Sequence, residues 1–200
     1  MEYRYGKFYT GHQITAESAE LPVSLEAVRM QLRMDDLRHD DEYLIMQIKA
    51  QCALIEKQYQ AALLNKTVVE HHSRFPQYST DTLFVSGIGP VNSVTSIQYY
   101  DDGNTLQTWA STEWNFTASS GGANITLKPD YSWPTNLANR PDAVIVTYSA
   151  GYGTGPSSLP PNVTAGILSR IARAYTNRED SREEGMSMSD VLLGPLKRWI

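Results

Sequence analysis

Apolar positions recur at helical spacing at both ends of this chain and at strand spacing between them. Leu25, Val28 and Leu32 fall at i, i+3 and i+7 behind Ser24, whose hydroxyl can accept an orphan N–H at a helix start. The pattern breaks across residues 34–42, an acidic stretch whose end suits the first turn of a second helix. Leu44, Ile45, Ile48, Cys52, Ile55 and Tyr59 then hold the 3.6-residue period, predicting a helix from about Asp41 to Leu64. Gln47, Lys49, Gln51, Glu56 and Lys57 occupy its other side.

From Lys66 to about Ala150 the helical period is lost. Short β-branched or aromatic runs replace it at Thr67–His72, Thr82–Val85, Val94–Tyr100, Thr105–Trp109, Trp114–Ala118, Asn124–Leu127 and Ala143–Tyr148. Asp101-Asp102-Gly103-Asn104 is a hairpin-turn signal, because Gly and Asn tolerate positive φ. Ser119-Ser120-Gly121-Gly122 is a second turn, and the proline-bearing stretch Lys128–Pro141 reads as a loop. Strands of this length and spacing predict a small antiparallel sandwich or barrel.

Helical spacing returns after Leu159-Pro160-Pro161, with proline tolerated in the first turn. Val163, Ile167, Leu168, Ile171, Ala174 and Tyr175 form the apolar face of a helix ending near Arg178. Residues 179–188 are charged and rich in Ser and Met, which predicts mobility. Ser189-Asp190 is then placed to cap a short terminal helix carrying Val191, Leu192, Leu193, Leu196 and Trp199. At the other end, Tyr3, Tyr5 and Tyr9 alternate with polar residues in an arm with the spacing of a short strand, one that needs a partner surface to order it.

The expected fold is therefore α+β. A helical bundle layer combines the N-terminal helices with the long C-terminal one, and an antiparallel β-module is inserted into it. The expected boundaries are an arm at 1–20, a helical core at 21–65 and 157–180, the β-module at 66–156, and a C-terminal docking segment at 181–200. Leu25, Val28, Leu32, Leu44, Ile48, Ile55, Ile167, Ile171 and Tyr175 are expected to face the core of the helical layer or to make subunit contacts.

Composition narrows the function more than the fold. The net charge of −5 and pI near 5.3 argue against gripping nucleic acid through its phosphates. The single cysteine, Cys52, excludes an internal disulfide and every multi-cysteine zinc framework. No apolar run reaches the ~20 residues that span a bilayer, and the N-terminus lacks a signal-peptide core, so use without secretion and without a membrane is expected.

Catalytic patterns are absent. His71 and His72 sit in a predicted strand, where neighbours point to opposite faces, so they do not share a metal. The glycine-rich 151–155 stretch lacks the lysine of a phosphate loop and is followed by prolines that remove donors. No nucleophile elbow exists. Neither an enzyme, a cofactor nor a metal is expected. Aromatics are the more serious rival: Trp109, Trp114, Tyr131 and Trp133 could stack sugars in a carbohydrate- or receptor-binding module, or simply fill a β-core. The terminal Leu192, Leu193, Pro195, Leu196, Lys197, Arg198 and Trp199 are too apolar for a fraying end, and either fold back on their own core or dock on a partner.

The order of short signatures resembles the head–tail connector (adaptor) proteins of tailed bacteriophages. Leu21-Pro22-Val23-Ser24-Leu25-Glu26-Ala27-Val28 through Leu32-Arg33-Met34 is similar to that family's opening. Gly89-Pro90-Val91-Asn92-Ser93-Val94-Thr95-Ser96-Ile97 and Val144–Tyr152 resemble its β-region, and Ala174–Glu179 and Leu192–Arg198 its end. The arm at 1–20 has no clear counterpart. The resemblance implies a structural virion protein at the head–tail interface, assembled in the host cytoplasm. It implies a homo-oligomeric ring of about twelve copies between the portal protein and a tail-side stopper or completion protein, with DNA passing in transit. At −5 per chain such a ring would carry about −60, discouraging DNA from sticking. Residues 189–200 would order on the portal, and their deletion would leave the fold intact.

Overall fold

A computed structural model describes residues 8–34, 40–78, 80–85, 87–119, 122–177 and 187–197. These comprise four α-helices and two antiparallel sheets of five and three strands, an α+β fold with open sheets and no closed barrel. The chain divides into two compact units. One takes the N-terminal strand and Asn65–Gly151; the other takes Ser18–Leu64 and the described residues from Tyr152 to Lys197.

In the first unit the strands are β1 Tyr9–Glu17, β2 Lys66–His72, β3 Leu83–Val85, β4 Val91–Tyr100, β5 Leu106–Trp109, β6 Trp114–Ser119, β7 Gly122–Leu127 and β8 Val144–Ala150. The larger sheet runs β1-β2-β8-β4-β5 and the smaller β3-β7-β6. Central position explains the strongest alternation. β8 lies between β2 and β4, and buries Val144, Val146, Tyr148 and Ala150 while the residues between them stay half-exposed. Its register with β2 is unbroken from Lys66↔Ala150 to His72↔Val144.

The N-terminal arm supplies β1, which pairs with β2 at the sheet edge and is exposed along nearly all of its length. Two register shifts interrupt β1. Such bulges twist an edge strand and discourage adventitious pairing. The β4–β5 turn forms as the sequence predicts: Asn104 takes φ 59°, and the Asp101 carboxylate accepts the Thr105 N–H at 2.8 Å.

The helical unit holds α1 Leu25–Leu32, α2 Asp41–Tyr59, α3 Pro161–Thr176 and α4 Met188–Leu193. Ser24 caps α1 by accepting the Ala27 N–H. An Arg29–Asp41 ion pair ties α1 to the acidic first turn of α2. α2 stops at Tyr59, short of the expected Leu64, because Gln60 turns left-handed at φ 51° and its N–H closes on the Glu56 carbonyl. Beyond it, Glu56 accepts the Leu63 N–H at 2.9 Å, and Ala61, Leu63 and Leu64 enter the core as irregular chain. The core of this unit combines Val28, Leu44, Ile48, Cys52, Ile55, Val163, Ile167 and Ile171. Each fully buried aliphatic side chain there contributes about 1.5–3 kcal/mol.

Candidate functional site

The C-terminal segment is where the sequence left two readings open, and its described part, residues 187–197, lies on the helical unit's own core. Its cap is Ser187 and not the expected Ser189-Asp190. The Ser187 hydroxyl accepts the Asp190 N–H while the Asp190 carboxylate accepts the Ser187 N–H at 3.0 Å, a reciprocal capping box. The cap begins two residues early because Asp190 is needed at the third helical position to reach back.

Three contacts hold α4 against α3. Leu193 is fully buried over Gly166, where a β-carbon would stand 2.7 Å from the Leu193 Cγ. Asn162 Nδ2 donates to the Leu192 carbonyl at 3.0 Å, satisfying an orphan acceptor in the last turn. One Arg170 nitrogen donates both to Asp190 Oδ1 and to Gln58 Oε1, each at 2.8 Å, linking α3 to α4 and to α2. The Ser187 backbone N–H, with the Arg170 guanidinium next, holds the Asp190 carboxyl below the usual carboxylate range.

Of the terminal residues singled out in the sequence, Leu193 and Leu196 are buried in the core and Leu192 is half-buried. Pro195 and Lys197 are exposed, as is Val191. Arg198 and Trp199 lie outside the described residues, as do most of the 179–188 stretch and the acidic positions 35–39. Val28, Leu44, Ile48, Ile55, Ile167 and Ile171 meet in one cluster, with Leu25, Leu32 and Tyr175 partly buried against it. Because Leu193 and Leu196 belong to that cluster, deleting residues 189–200 removes core side chains, contrary to the expectation of an intact fold.

The overall fold has solved counterparts. No protein-family model matches the chain, and no curated protein matches it. A chain in the structure of the virion of a native gene transfer agent (GTA) particle superimposes with a TM-score of 0.77, at 18% identity, covering 96% of this chain and 97% of its own. A chain in the neck of the empty GTA particle, computed with C6 symmetry, follows at 0.75 and 19% identity, with the same coverage. One in the neck of the native particle, computed with C12 symmetry, reaches 0.65 at 19% identity over 94% of this chain and 96% of that one. The fold is shared over nearly the whole of each chain.

The sugar-stacking reading loses its platform. Trp109, Trp114 and Trp133 are 6%, 8% and 5% exposed. Phe75 packs against Tyr99, Trp109 and Trp133 with ring centroids 5.3–5.9 Å apart, and Trp133 donates its indole N–H to the Tyr78 carbonyl. Only Tyr131 of the four candidates is exposed.

Sequence reasoning missed a polar cluster in the β-unit. Glu70 is fully buried on β2 and its Oε2 accepts the Gly87 N–H at 2.8 Å and the Tyr148 hydroxyl at 3.2 Å. Tyr148 in turn accepts the Ile88 N–H at 2.9 Å. His72 Nε2 stands 3.0 Å from Glu70 Oε1 without forming a hydrogen bond. A β-carbon at Gly87 would lie 2.8 Å from Glu70 Oε2, so a side chain there would displace the carboxyl group. With its acceptor oxygen facing backbone N–H and phenol inside the module, Glu70 anchors a loop to the sheet. Among the described residues no cluster of His, Cys, Asp and Glu could hold a metal ion.

Proposed function

We propose that this chain is a structural subunit of a virion neck: a ring-forming head–tail connector seated between the portal and a tail-side completion protein, through which DNA passes. The observation that carries this reading is the superposition on a virion chain over nearly the whole of both proteins, with two of the matching structures being necks. The order of sequence signatures from residue 21 to 198 supports the same reading independently. Necks treated with C6 and C12 symmetry favour a ring of about twelve copies.

In this reading the helical unit supplies most subunit contacts and the chain end meets the portal. The burial of Leu193 and Leu196 divides the labour within that end. Those two side chains anchor the segment on α3, and its outward residues, Pro195 and Lys197 among those described, are offered to the portal. Catalysis has no part in the role.

The test is electron microscopy of the full chain mixed with the portal ring of its own particle. A symmetric ring capping the portal is expected. A protein that stays monomeric and leaves the portal bare would overturn the proposal.

A further inference from the structure

A surface helix of a globular protein normally has one apolar face. α2 has two. Leu44, Ile48, Cys52 and Ile55 enter the core, while Met46, Ala50, Ala53 and Leu54 recur at i, i+4, i+7 and i+8 on the exposed side. Met46 and Leu54 are 52% and 55% exposed. Between and beside them stand Lys49 and Lys57, both exposed and, among the described residues, without a carboxylate partner. The two alanines leave a notch between two larger apolar side chains, with Lys49 and Lys57 beside it and Glu42 one turn before Met46.

α1 carries the complement. Its inward residue is Val28, and its outward face presents Met30, at 69% the most exposed large apolar residue of α1 and α2. Glu26, one turn earlier on the same face, is exposed and has no cation partner among the described residues. An unbranched thioether beside a carboxylate matches an alanine notch beside two ammonium groups in shape and in charge.

We propose that these two faces are the halves of a contact between copies of this chain, with Met30 of one copy seated in the Ala50–Ala53 notch of the next and Glu26 facing Lys49 and Lys57. The pairing of two different faces is heterologous, and such contacts propagate head to tail until rotation closes them into a ring. The inference rests on the connector reading and assigns its subunit contact.

The experiment uses particles assembled with full-length Met30→Cys/Ala53→Cys, treated with a short bis-maleimide and run under denaturing conditions. Cys52 is buried, so the wild-type chain is the unreactive control. The expected result is a ladder in multiples of 22.4 kDa, with either single variant giving one band. Electron microscopy of the same particles separates the two ways to fail. A ring without a ladder, or a cross-link to a different neck protein, overturns the contact and spares the connector reading; particles with no ring of this chain overturn that reading itself. Charge exchange is the second arm. Glu26→Lys and Lys49→Glu/Lys57→Glu should each lower incorporation about tenfold, and combining them should restore it. Failure of the combination to recover overturns the pairing.

Discussion

Gly166 and Leu193 occupy one volume: the leucine fills the space that a side chain at 166 would take, so α4 can approach α3 only over a bare backbone. A glycine inside a helix costs about 1 kcal/mol against alanine. Here the close approach it permits outweighs that loss. Gly166→Ala should therefore destabilise the protein by about 1–3 kcal/mol despite the better helix former. Leu193→Ala should cost about 2–5 kcal/mol. Because the substitutions act on one contact, the double variant in urea melts should lose less than the sum. Additive losses would contradict the shared volume.

Acid should loosen the same segment. Asp190 has its folded pKa depressed by the Ser187 N–H and by Arg170, so its stabilising contribution is complete above the ordinary value of 3.8 and is lost as pH falls through the depressed value. Hydrogen exchange at residues 187–197 should accelerate in that acidic range. Asp190→Asn should raise exchange there at neutral pH and flatten its acid dependence. Asp101 and Asp142 share the direction of shift, so the comparison that matters is wild type against this variant.

Truncation and surface substitution should separate folding from docking. Deleting residues 189–200 removes Leu193 and Leu196 from the core, and by the burial of two leucines should lower stability by about 4 kcal/mol or more. Lys197→Glu, at an exposed position, should cost far less stability than the truncation and weaken portal capture. A truncated chain that melts with the wild type would show that the segment is not part of the core.

In the β-unit, Tyr148→Phe should cost about 1–3 kcal/mol, because the buried Ile88 N–H loses its acceptor and Glu70 loses a donor. Gly87→Ala should be comparably harmful through its clash with Glu70. Thermal denaturation measures both, and wild-type stability in either would remove the cluster from the account.

Trp133→Ala should act on stability too, by about 3–5 kcal/mol, since the ring is packed against both Phe75 and Trp109. Glycan binding by the intact protein would be the surprising outcome.

Periodicity by itself determined the elements. The face of α2 from Leu44 to Ile55, the β8 alternation and the Asp101–Asn104 turn each follow from neighbours two to four residues apart, and local spacing is what a sequence displays directly. The Ser24 cap and the acidic start of α2 were legible for the same reason. Tertiary structure decided what lies across the chain. The terminal leucines read as sticky, but their choice of partner depended on a glycine 27 positions away. Glu70 read as an ordinary strand residue until the Gly87 N–H and the Tyr148 hydroxyl arrived to donate to it inside the module. The tryptophans read as core more than as a sugar platform, and the packing of Phe75 on Trp109 and Trp133 shows which partner covers two of them. Apolar burial is nondirectional, so a pattern of hydrophobic residues states that a face will be covered and leaves the covering partner to the fold.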